Sequence, residues 1–276
     1  MANTWHSDDT PPHLGIGPAG WLRLTARAVP LAMLVFGGLA VLMVVRLVEQ
    51  PVYGMRRPVT PYITQFVCRA SFVLLGIRYR SIGQPMRGPG AIVANHSSWL
   101  DIFALNARKR IYFVSKSEVA GWPGIGWLAR ATGTVFIKRE RGAVSDQIAL
   151  FRARLSAGHK LLFFPEGTST DGLRVLDFKP ALFAAFFEPA LRDSLLMQAV
   201  TVNYIAPAGA DPRFYGWWGD MDFGPHLLAT LAASKQGQVE VVYHPPVRVA
   251  DFADRKALAK SMENTVRGGL AQHRAA

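Results

Sequence analysis

From Ala28 to Val45 the chain runs 18 residues without one charged side chain. At about 1.5 Å of helix rise per residue, such a stretch is just long enough to cross or enter a hydrocarbon layer about 30 Å thick. Arg23 and Arg27 precede it and Arg46 follows it. It begins too late for a cleaved secretory signal and no small-residue cleavage site adjoins it. Pro30 and the Gly37-Gly38 pair leave two forms open, a straight span and a bent, re-entrant segment. Tyr62 to Ile77 is apolar again but carries Gln65 and Arg69, the pattern of an amphipathic helix at a membrane surface. These features predict a flexible polar leader over residues 1–27, a membrane-embedded helical anchor over 28–82, and a folded domain over 83–276.

The charge balance points the same way. The net charge is +12, and seven arginines but only one acid, Glu49, lie between Arg46 and Arg87. A cationic cluster directly after an apolar run fits anionic headgroups. No nucleic acid is expected as a partner, because no nucleic-acid motif accompanies the charge and aromatic residues are not interleaved with it. The arginine bias predicts that the chain after Val45 lies on the cytoplasmic side of the inner membrane. The single cysteine, Cys68, excludes a disulfide framework and a cysteine-rich metal site, so no metal is expected.

From Ala91 onward, apolar β-branched runs alternate with helical patterns. Strands are predicted at 91–94, 111–114, 133–137, 160–164, 199–204 and 238–244. Helices are predicted near 99–108, 123–131, 143–157, 180–190 and 252–271. Such alternation predicts an α/β fold with a mostly parallel sheet flanked by helices. Gly83 to Gly90, with Pro85 and Pro89, reads as the linker into it. Gly15 to Gly20 formally matches a dinucleotide fingerprint, but no strand precedes it and Pro18 interrupts it. Trp217-Trp218-Gly219-Asp220 opens an insertion to which the sequence assigns no element.

The most informative segment for chemistry is Asn95-His96-Ser97-Ser98-Trp99-Leu100-Asp101. It follows the first predicted strand, so His96 sits where a strand empties into a loop. Ser97 or Ser98 is expected to cap the next helix, which places Asp101 in its first turn on the side of the histidine. A carboxylate there fixes the imidazole tautomer and raises its basicity, as a general base for a hydroxyl requires. A second strand ends in Phe163-Phe164-Pro165-Glu166-Gly167-Thr168, where Gly167 permits a turn that directs backbone N–H groups outward. Gly133 to Arg139 is a third strand candidate ending in adjacent cations, Lys138 and Arg139. No Gly-x-Ser-x-Gly elbow occurs, which weighs against a serine hydrolase.

These three blocks, in this order, resemble the glycerolipid (1-acylglycerol-3-phosphate) acyltransferase family, over roughly residues 70 to 245. The resemblance implies a membrane-bound O-acyltransferase whose catalytic domain moves an acyl group from acyl-CoA or acyl carrier protein to a lysolipid hydroxyl, without a further cofactor. It implies His96 as general base with Asp101 as its partner, and Arg139, Glu166, Gly167 and Thr168 at the acceptor. Lys116, ahead of Pro123-Gly124-Ile125-Gly126, matches a further family lysine. Members that use a phosphate-bearing acceptor commonly carry arginine after Glu-Gly-Thr; here that position is Ser169. Serine offers neither charge nor a bidentate fork. With Asp171 nearby, this departure favours a less anionic acceptor. The chain looks most like the bacterial lyso-ornithine lipid acyltransferases, with lysophosphatidate as the alternative acceptor.

Overall fold

A computed structural model describes residues 4–7, 15–122, 124–137 and 144–275. The N-terminal part is a helical hairpin, α1 (Pro18–Tyr53) and α2 (Thr60–Leu75). The helix therefore begins ten residues before the expected start of the anchor at residue 28. Pro18 explains the start, since its fixed φ and missing N–H suit a first helical turn. Pro30 and Pro51 lie inside one continuous helix. Gly38 makes no hinge. A Cβ there would come within 2.5 Å of Val67, so the glycine lets the two helices approach closely.

The hairpin is tied at its turn and at its open end. The buried Glu49 carboxylate accepts the amides of Val59 (2.7 Å) and Thr60 (3.1 Å) and the Thr60 hydroxyl (2.6 Å), which satisfies donors at the start of α2. At the other end, Arg23 donates to the Ala232 carbonyl (2.9 Å), and Arg27 to the carbonyls of Leu231 and Ala233 (2.7 Å each). Helix α1 is long and apolar enough to cross a membrane. Trp21, Leu22, Met33, Phe36, Leu47 and Val48 are among its exposed apolar side chains.

The remainder is an eight-stranded sheet ordered β1-β7-β6-β2-β5-β3-β4, with β8 alongside β6. The strands are β1 (Arg78–Gly83), β2 (Gly90–Ala94), β3 (Tyr112–Lys116), β4 (Val135–Ile137), β5 (Lys160–Phe163), β6 (Leu196–Ile205), β7 (Gln238–Tyr243) and β8 (Val247–Arg248). Strands β2 to β6 run parallel; β6 pairs antiparallel with β7 and β8. The flanking helices are α3 (Asp101–Arg108), α4 (Ile125–Thr132), α5 (Val144–Ser156), the short α6 (Pro189–Arg192), α7 (Phe223–Ala232) and α8 (Arg255–Ala275). The helix expected near 180–190 is a 3-10 helix over Pro180–Phe187, followed by α6.

The sheet begins at residue 78, inside the stretch expected to anchor the chain. Strand β1 was hidden by Arg78 and Arg80, which alternate with Tyr79 and Ser81 and so suit a half-exposed edge strand. The expected linker, 83–90, instead joins two strands of one sheet. Period-two alternation divides the core. Ile92 and Ala94 face a cluster with Phe72, Leu75, Leu100 and Leu105. Ala91 and Val93 face Phe163, Phe183, Leu258 and Val266 on the other side. Each such fully buried side chain of valine size or larger contributes roughly 1.5–3 kcal/mol, so the strand that carries His96 is held from both faces.

Candidate active site

Strand β2 delivers Asn95 and His96 to the C-terminal edge of the parallel strands. Asn95 is fully buried. Its side chain extends the sheet by one rung, donating to the Val202 carbonyl and accepting the Val202 amide at 2.8 Å each. The chain cannot continue as a strand beyond that clamp, so His96 begins the loop. The His96 amide donates to Glu166 Oε1 (2.7 Å) and its carbonyl accepts the Thr170 amide (3.0 Å). Its ring stacks on Phe164 with centroids 4.1 Å apart and planes within 12°.

His96 Nδ1 lies 2.7 Å from Asp101 Oδ2. The same oxygen accepts the amides of Ser97 (2.8 Å) and Ser98 (3.1 Å), while Oδ1 accepts the Tyr204 hydroxyl (2.8 Å). Four donors thus converge on one fully buried carboxylate, which suits an anion at a helix start. The cap is the reverse of the serine cap expected from the sequence: Asp101 reaches back to the serine amides. Because the carboxylate only accepts, Nδ1 carries the proton and Nε2 holds the lone pair. The histidine side chain is 21% exposed, and Nε2 has no hydrogen-bond partner among the described residues. The pair can therefore take a proton from a bound hydroxyl.

The Glu166 carboxylate is also buried. Oε1 holds the His96 amide and Oε2 the Leu176 amide (2.7 Å). It thus joins the histidine loop to the segment after the turn and points inward, away from solvent. Burial, with a smaller push from the Asp101 charge, raises the carboxyl to about 8 against the pull of those two amides. Gly167 takes φ 76°, the left-handed region, with Lys179 Nζ where a Cβ would point. Its N–H bonds to the Phe164 carbonyl, so the outward donors expected at this glycine are not supplied by it. Thr168 Oγ1 accepts the Trp5 amide (3.2 Å), and the Trp5 ring lies under the Arg174 guanidinium at 5.1 Å.

Lys116 ends β3, paired in register with Ile137 of β4. It lies on the same edge as His96 and Glu166, because β2, β5, β3 and β4 are parallel neighbours. Arg139 lies outside the described residues. Asp171 is buried and paired with Arg174 (2.9 Å), so its charge is compensated within the protein. That leaves Ser169 alone as the sequence argument for a less anionic acceptor. Tyr204 and Phe164 were not singled out from the sequence. Both lie within strand-like apolar runs, where nothing separates a site residue from a core residue. The aromatic insertion packs on the histidine loop: the Trp217 amide donates to the Ser97 carbonyl (2.8 Å) and Trp218 is buried. Among the described residues no three His, Cys, Asp or Glu side chains stand close enough to hold a metal ion.

Residues 78–203 match the family described as Acyltransferase. A lyso-ornithine lipid O-acyltransferase of Rhodobacter capsulatus is 54% identical over 268 residues, 97% of either chain. The chain belongs to the acyltransferase family. The acyltransferase is also 32% identical, over 65% of its length and 69% of the relative's, to a 1-acyl-sn-glycerol-3-phosphate acyltransferase of Neisseria gonorrhoeae. Its fold is similar to the crystal structure of a 1-acyl-sn-glycerophosphate acyltransferase from Thermotoga maritima, with a TM-score of 0.67 at 20% identity, covering 93% of this chain and 97% of that one. The acyltransferase is accordingly an enzyme with an α/β fold and, among the described residues, one helix long and apolar enough to cross a membrane.

Proposed function

We propose that this acyltransferase completes a two-chain lipid by moving a fatty acyl group from a thioester to the hydroxyl of lyso-ornithine lipid. The observation that supports the chemistry is the His96–Asp101 pair with Nε2 open. The lysolipid hydroxyl attacks the thioester carbonyl and passes its proton to Nε2. The tetrahedral intermediate collapses, the C–S bond breaks, and the leaving thiolate recovers the proton from the imidazolium. Asp101 holds the tautomer and stabilises the imidazolium. The amides of Thr168 and Ser169, which have no acceptor among the described residues, are the donors best suited to the developing oxyanion. Glu166 acts here by positioning: its two backbone contacts fix the histidine loop. Lys116, the last residue of β3, and Arg139, two positions beyond β4 in sequence, supply cations for the acceptor.

The 54% identity to the Rhodobacter capsulatus protein, over 97% of both chains, supports the ornithine-containing acceptor. The Neisseria gonorrhoeae relative favours lysophosphatidate as the second reading, against which stands Ser169. The donor is acyl-CoA or acyl carrier protein. The hairpin's apolar outer face supports a membrane location, and the arginine cluster beside it favours the anionic headgroups at the cytoplasmic face of the inner membrane. Both ends of α1 touch the same folded domain: Arg23 and Arg27 bond to the end of α7, and Arg57, just past α1, bonds to the Ala131 carbonyl at 2.7 Å. A helix crossing the bilayer would part those contacts, so we place α1 within one leaflet. The test is purified full-length protein in lipid vesicles, given labelled acyl-CoA or acyl carrier protein with each lysolipid. Diacyl ornithine lipid as the main product is expected. Phosphatidate as the main product selects the second reading, and free fatty acid alone refutes both.

A further inference from the structure

A cleft of about 370 Å³ opens at the other edge of the sheet, among Arg56, Arg57, Arg110, Tyr112, His159 and Lys160. Lys160 begins β5 opposite Gly90, the first residue of β2. His96 lies six residues beyond Gly90, so at about 3.3 Å per residue the cleft is roughly 20 Å from the acyl-transfer centre.

The lining contains cations and no acid. The nearby Glu49 carboxylate is already used by Arg46 and by the start of α2. Arg57 and Arg154 donate to the carbonyls of Ala131 and Gly133, and Arg110 lies 4.5 Å over the Tyr62 ring. None of these partners is a carboxylate. His159 is 4% exposed and stacks on Tyr112 at 4.0 Å, and neither ring nitrogen has a hydrogen bond of full geometry, although the Met55 carbonyl is near. Burial, then Arg154 and Arg57, push His159 down to about 3; burial, then Lys109 and Arg110, push Lys160 down to about 8. Burial is the larger cause for both, and the neighbouring cations act in the same direction.

We propose that this cleft binds the phosphate of an anionic phospholipid, as a site separate from the acyl-transfer centre. The rim decides the source of the phosphate. Tyr53, Met55, Val59 and Tyr62 are exposed around the cations, at and just beyond the end of the membrane-facing helix. Tyrosines favour the headgroup level, with apolar chains on one side and water on the other. A soluble phosphate has no use for that rim, whereas a lipid whose chains stay in the leaflet matches both parts.

The experiment titrates full-length protein in neutral detergent with short-chain phosphatidylglycerol, phosphatidylcholine, inorganic phosphate and adenosine 3′,5′-bisphosphate, counting bound molecules by native mass spectrometry. The variant is Arg56→Gln/Arg110→Gln; both side chains are exposed, so the fold is not at stake. A basic residue near an anionic surface contributes about 1 kcal/mol, a factor of roughly five, so phosphatidylglycerol affinity should fall about twenty-five-fold. Phosphatidylcholine binding and acyl transfer in neutral micelles should stay unchanged. An unchanged phosphatidylglycerol affinity overturns the proposal. So does loss of bisphosphate or phosphate binding alone, which would assign the cleft to a soluble ligand.

Discussion

Replacing Asp101 by asparagine separates the carboxylate's two services to His96. The side chain has two faces. Oδ2 meets three N–H donors, from the His96 ring and the amides of Ser97 and Ser98; Oδ1 meets only the Tyr204 hydroxyl. An asparagine with its oxygen at the Oδ2 position keeps all three bonds, and its NH2 faces a hydroxyl that can rotate to accept. The flipped amide would strand two buried backbone donors at about 1–3 kcal/mol each, so the first orientation wins by roughly 2–6 kcal/mol. The imidazole tautomer is therefore preserved and only the charge is lost. Hydrogen bonds to charged groups are worth about 1.5–3 kcal/mol and neutral ones about 0.5–1.5, so the imidazolium loses about 1–2 kcal/mol. At 1.36 kcal/mol per decade, turnover should fall about five- to thirty-fold. His96→Ala, which removes the base, should cost roughly two to four decades. Turnover of both variants would be measured in one vesicle preparation, with circular dichroism and melting temperature as controls. A folded Asp101→Asn protein as inactive as His96→Ala would refute the argument, because the backbone amides would not then be setting the amide orientation.

Three further outcomes are expected. Glu166 has a raised carboxyl, so between its ordinary value of 4.5 and about 8 the folded chain holds a proton that the unfolded chain has released. Stability should fall with rising pH across that window relative to Glu166→Gln, and melting curves showing the opposite slope would contradict the assignment. Ser169→Arg should raise the rate ratio of lysophosphatidate to lyso-ornithine lipid by about tenfold or more, since a charged hydrogen bond contributes roughly 1.5–3 kcal/mol. An unchanged ratio means position 169 does not read the headgroup. Full-length protein should stay with membranes in high salt and leave them only in detergent; release by salt alone would show that the hairpin is not embedded.

The centre of the sheet was legible because β2, β5 and β6 are buried on both faces and read as continuous apolar runs. The edges were not. Strand β1 alternates arginine with smaller residues and resembles a solvated linker, while Gly224-Pro225 near the start of α7 reads as a loop although proline suits a first helical turn. His96 and Asp101 were legible because both belong to one heptapeptide. Tyr204, 103 positions from Asp101, becomes a site residue only when β6 pairs beside β2. Glu166 was legible as a position but not as a role, because the partners of its oxygens are backbone amides, which carry no sequence signature.

Helix α1 is 36 residues long, about 54 Å, and roughly 10 Å across. In the single-leaflet placement proposed above, it would take some 500 Å² from that monolayer and nothing from the other. The reaction works on the same ledger of area, because a single-chain lysolipid occupies less of a monolayer than the two-chain product it becomes. Crowding in the leaflet would resist both insertion of the helix and expansion of the product, whereas a slack leaflet would favour both. Lateral pressure could thus govern occupancy of the membrane and completion of the lipid together, through the same mechanical variable.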